Sequence, residues 1–137
     1  MTHRILCPLD GTDHAAHAVD VAADLATRYG AELLLCVVNV AHGGGRGPLI
    51  HHWSDADAQK ILDDGTAAAK ARGITPMGTA IVIDREAASG IVAYAEMNKA
   101  DHIVMGTGDK RGLSRLVLGS VAADVAGRAH CTVTIAR

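Results

Sequence analysis

"RILCPLDGTDHAAHAVDVAADLATRYGAELLLCVVNV", residues Arg4 to Val40, changes its apolar rhythm twice. It opens with a short apolar run, "RILCPLD" (4–10), that ends in an acid and a Gly-Thr turn. Next, Ala15, Ala18, Val19, Ala22, Leu25 and Ala26 fall on one helical face, with Thr12 placed as N-cap and Gly30 as the stop. "AELLLCVVNV" (31–40) is then an unbroken apolar run, the pattern of a strand covered on both faces. Strand, helix, strand with short joints is the unit of a parallel sheet.

The rest of the chain repeats the alternation. "AHGGGRGPLIHHW" (41–53) reads as a glycine-rich loop, and Ser54 caps a helix that Gly73 stops. "GTAIVI" (78–83) is a third strand and "REAASGIVAYAEMNKA" (85–100) a third helix, with Gly90 tolerated inside it at some cost. "DHIVMG" (101–106) is a fourth strand, "SVAADVAGRA" a fourth helix, and "CTVTIA" (131–136) a fifth strand. No repeat, linker or low-complexity tract interrupts residues 1–137, so the expected fold is a single α/β domain. Its sheet is doubly wound, parallel and five-stranded, with helices on both faces joined by right-handed crossovers.

Composition narrows the function. A chain of 137 residues can bury one sizeable core, and with no Phe it must fill that core with Ala, Val, Leu and Ile. A formal charge of −2 gives no basic field, and Trp53, Tyr29 and Tyr94 are too few to stack a run of bases, so nucleic acid is not an expected partner. "MTHRILCPLDG" carries no signal-peptide core and no run approaches a membrane span, so a cytoplasmic protein without membrane insertion is expected. Cys7, Cys36 and Cys131 sit singly in apolar runs, as three small buried hydrophobes in a reducing compartment would.

Ligands of such sheets sit at the carboxyl ends of the strands where the strand order reverses, commonly between strands 1 and 4. That crevice joins "PLDGT" at the end of strand 1 to "MGTGD" at the end of strand 4. Gly119 and Ser120 open the fourth helix, whose unpaired N–H groups and dipole attract phosphate, although Ser120 in that place also reads as a plain helix cap. Asp10 can accept from a ribose or a base amino group, or it can close an Asx turn onto Gly11 or Thr12. The eight histidines are scattered and lack the four convergent ligands of a closed zinc site, so no metal ligand is assigned. "GGGRG" (43–47) lacks the Lys-Ser/Thr of a P-loop. No G-x-S-x-G elbow or Cys–His pair is present, so no catalytic residue is assigned and an enzyme is not expected.

These residues resemble a family. "ILCPLDGTDHAAHAVDVAADLATRYGAELLLCVVNV" is similar to the opening of universal stress proteins, and "ADHIVMGTGDKRGLSRLVLGSVAADVAGRAHCTVTIAR" to their closing half. The resemblance implies an adenine-nucleotide alpha-hydrolase-like fold with strand order 3-2-1-4-5, a homodimer, and a cytoplasmic role in the stress response. It implies adenine and ribose contacts from Pro8, Leu9, Asp10, Val37, Met105 and Gly106. Phosphate contacts would come from Thr107, Gly119, Ser120 and Val121, with Gly108 a further nucleotide-binding residue. The expected ligand is ATP or another adenine nucleotide, with Mg²⁺ as a further component if Asp109 recruits it. The expected protein partner is unnamed, a transporter being one kind that relatives regulate.

One position departs from the family's G-x-x-G-x9-G-[S/T] signature. Counting from Gly106 and back from Gly119 both lead to Asp109, where a glycine is the rule. A carboxylate about 4 Å from a phosphate, at an effective dielectric of about 20, opposes it by roughly 4 kcal/mol at most. Two readings follow: weakened adenine-nucleotide binding, or a ligand-free dimeric module that has lost the site. The last strand, apolar and β-branched over 131–136, is expected to be an edge that pairs with a second copy.

Overall fold

A computed structural model of the chain describes residues 2–107 and 118–137. The elements run β1 (Arg4–Leu9), α1 (Asp13–Tyr29), β2 (Glu32–Gly43), β3 (Leu49–His51), α2 (Asp55–Ala71), β4 (Gly78–Asp84), α3 (Ala87–Met97), β5 (His102–Gly106), α4 (Ser120–Arg128) and β6 (Thr132–Ala136). Five strands pair in parallel in the order β4-β2-β1-β5-β6. Counting only those five along the chain, this is the expected order 3-2-1-4-5.

The helix ends follow their local chemistry. Thr12 accepts from the Ala15 N–H at 3.3 Å and Ser54 from the Asp57 N–H at 3.1 Å, each as the N-cap of its helix. Gly30 takes the left-handed conformation (φ 62°), and the next N–H, of Ala31, closes on the Ala26 carbonyl at 2.9 Å.

Segment 41–53 departs from expectation. It is not all loop: β2 runs on to Gly43 and turns back into β3, with His42 facing Ile50 and Ala41 facing His51 in an antiparallel ladder. Gly43 and Gly44, at φ 85° and 88°, make the reversal that other residues resist. The glycines that suggested a loop are therefore a hairpin's turn. The third helix is also shorter than 85–100, because the Asp84 carboxylate accepts the Glu86 N–H at 3.1 Å and holds the chain extended before Ala87.

Alternation along the strands splits the core in two. Ile5, Cys7 and Leu9 of β1 join Leu33, Leu35 and Val37 of β2 beneath α1 and α2. Leu6, Leu34, Cys36 and Val38 face the other way, against Ile91 of α3 and Val125 of α4. Both layers are built of small and branched aliphatic side chains, as the lack of Phe requires. Cys7 and Cys36 are fully buried, and burial pushes the Cys36 thiol up to about 12 and the Cys7 thiol up as well. Cys131 is only half-buried, unlike the expected trio, because it precedes the edge strand β6.

Candidate functional site

A cavity of about 480 Å³ opens at the carboxyl ends of β1, β2 and β5. Pro8, Leu9 and Asp10 line it from β1 and the turn after it, Met105 and Gly106 from β5, and Gly119, Ser120 and Val121 from the start of α4. Parallel pairing of β1 with both β2 and β5 is what gathers these distant segments. The floor is apolar, with Val38 and Val40 of β2 and Ile91 of α3.

Gly106 is there for packing. A Cβ on it would stand 2.5 Å from the His14 carbonyl oxygen, so only glycine lets the first turn of α1 lie against β5. That contact brings the start of α1 and the end of β5 to one rim.

Asp10 closes the turn that the sequence allowed. Its Oδ1 accepts the Thr12 N–H at 3.0 Å and the Thr12 hydroxyl at 2.6 Å, and Thr12 in turn caps α1. Both bonds fall on one oxygen, and no bond to Oδ2 is found among the described residues. Thr12 thus holds the carboxylate in place through a single oxygen.

The N-terminus of α4 presents donors. Gly119 is the N-cap, with extended backbone (φ −57°, ψ 152°), and no side chain among the described residues caps the helix. The Gly119 N–H donates to the Thr107 hydroxyl at 2.8 Å. The N–H groups of the following first turn have no intrahelical acceptors, and they stand where Ser120 and Val121 line the cavity. An anion there meets donors and the positive end of the helix dipole.

Two expected contacts lie elsewhere. Val37 is fully buried in the α1–α2 layer, because alternation along β2 turns Val38 and Val40, not Val37, toward the cavity. Thr107 is buried and does not line the cavity, its hydroxyl engaged by Gly119. Gly108 and Asp109 lie outside the described residues.

Sequence reading missed one side of the site. His14, His42, His52 and Trp53 also line the cavity, the last three brought in by the β2–β3 hairpin and the segment after it. Folding thus gathers three of the scattered histidines, although no group of three His, Cys, Asp or Glu among the described residues could hold a metal ion. The missed signal was the apolar "PLI" (48–50) between the glycines and "HHW", which is strand-forming. No helix among the described residues is long and apolar enough to cross a membrane.

Comparison with known proteins agrees over the whole chain. The family model described as the universal stress protein family matches residues 1–137. A universal stress protein of Methanocaldococcus jannaschii is 34% identical, the match covering 98% of this chain and 81% of that protein. One from Thermus aquaticus is 32% identical over the full length of both. Among solved structures, a universal stress protein in complex with cAMP superposes with a TM-score of 0.78 at 25% identity, over 99% of this chain and 97% of that one. The fold is also that of the Archaeoglobus fulgidus universal stress protein in complex with dAMP, with a TM-score of 0.73 at 24% identity, over 100% and 98% of the two chains. The chain belongs to the universal stress protein family.

Proposed function

We propose that the chain binds an adenine nucleotide in this cavity and acts as a regulator in the stress response, without catalysing a reaction of its own. One observation carries the reading: the start of α4, the Asp10 turn and an apolar floor share a single cavity of about 480 Å³. Phosphate suits the helix N–H groups, a ribose hydroxyl suits the Asp10 carboxylate, and the base suits the apolar floor. The cAMP and dAMP complexes of family neighbours support the same class of ligand. ATP fits the reading too, with Mg²⁺ offsetting the charge that Asp109 adds by sequence. Denaturing the purified protein and chromatographing the supernatant tests it. Release of an adenine nucleotide, or saturable uptake of added AMP or ATP with and without Mg²⁺, is expected. If neither occurs, the chain is a ligand-free module.

The assembly belongs to the same proposal. Among the described residues β6 pairs only with β5 and ends the sheet, which leaves one side of its backbone open to pairing there. A two-fold homodimer through 131–136 would pair that edge in a closed assembly, with a regulated protein such as a transporter as its target and the cytoplasm as its place. Light scattering at micromolar concentration is expected to give the mass of two chains, and a monomer there would refute the dimer.

A further inference from the structure

Trp53 is the chain's single tryptophan and stands between β3 and α2. Its position is locked from behind. Asn39, fully buried, donates from Nδ2 to the Trp53 carbonyl at 2.9 Å, and its Oδ1 accepts the Trp53 N–H at 2.9 Å. One residue earlier, the His52 N–H donates to the Val40 carbonyl at 2.8 Å. A buried amide left without these partners would be costly, so the pairing fixes where the indole begins. The His52 ring meets the indole edge-on, centroids 4.6 Å apart and planes at 77°. His52 and Trp53 both line the cavity.

The wall has a definite place in the strand order. It belongs to the β2 side of β1, whereas Gly106 and the start of α4 belong to the β5 side. Two strand spacings separate β2 from β5, about 10 Å, comparable to the reach from a nucleotide's base to its 5′-phosphate. In a chain with so few aromatics, the one tryptophan stands between this cavity and the α1–α2 core layer.

We propose that Trp53, buttressed by His52, is a base-stacking wall that makes the cavity select nucleotides over sugar phosphates. The inference rests on the nucleotide reading above and adds the residue that sets its base preference. Because Trp53 is the sole indole, tryptophan emission reports this wall alone. AMP titrated into the wild-type protein should quench that emission, with a midpoint equal to the calorimetric Kd, while ribose 5-phosphate leaves it unchanged. Trp53→Leu should weaken AMP by at least about fivefold and leave ribose 5-phosphate binding as it was, and Trp53→Phe should recover most of the loss. If AMP binds calorimetrically while emission stays constant, or if Trp53→Leu binds AMP as tightly as wild type, the wall is refuted and the nucleotide reading survives. If calorimetry detects no AMP binding at all, both fall together.

Discussion

The Thr107 hydroxyl accepts a hydrogen bond from the Gly119 N–H at 2.8 Å. It ties the end of β5 to the cap of α4, across the segment 108–117, and so sets where the helix's first N–H groups point. The expectation is that Thr107→Val, of nearly equal volume but without the acceptor, loses about 1 kcal/mol of stability. The same variant should bind AMP more weakly, while Thr107→Ser keeps both properties. Urea denaturation beside calorimetry checks this, and a Val variant as stable as wild type would show that the bond contributes nothing.

Gly106→Ala tests the packing of α1 on β5. The added methyl would meet the His14 carbonyl carbon at 2.6 Å and oxygen at 2.5 Å, both backbone atoms that cannot swing aside. A loss of about 1–3 kcal/mol is expected from this overpacking. A melting temperature equal to wild type would mean that the helix shifts at no cost.

Buried His102 predicts a pH dependence. Its Nε2 pairs with the Thr134 hydroxyl at 2.7 Å and its Nδ1 with the Thr2 hydroxyl at 3.2 Å, joining β5 to β6 and the N-terminal segment. Burial lowers its pKa below 6.5, with the Asp101 carboxylate opposing the shift. The folded state therefore takes up the proton less readily than the unfolded chain. The resulting stability is fully present above 6.5 and is lost as the pH falls through the folded value. Unfolding free energy should be lower at about pH 5.5 than at about pH 7.5, and His102→Gln should reduce the difference. Equal slopes in the two proteins would contradict the assignment.

Much of this was legible from residue order alone. The apolar runs and the Thr12, Gly30 and Ser54 signals act locally, so they placed the strands and helices without tertiary information. The crevice followed from topology, and with it Asp10, Gly106 and the start of α4. What escaped depended on which side of a strand a residue faces, as with Val37 and Val38, or on pairing between segments, as with the hairpin that carries His42 and leads to Trp53. A run such as "GGGRGPLIHHW" satisfies a loop and a hairpin equally until β2 supplies a partner.

The central claim is that the start of α4 holds the phosphate of an adenine nucleotide, and calorimetric titration of AMP and adenosine tests it most directly. Ser120→Pro is the informative variant. Ser120 is the first residue of α4, where proline is accepted, and the extended Gly119 before it suits a following proline. The helix should remain while one N–H and one hydroxyl vanish from the cavity. The wild-type protein is expected to bind AMP more tightly than adenosine. Ser120→Pro is expected to weaken AMP about tenfold with adenosine unchanged. Equal affinity for AMP and adenosine, or a Ser120→Pro protein that binds AMP like wild type, would contradict it.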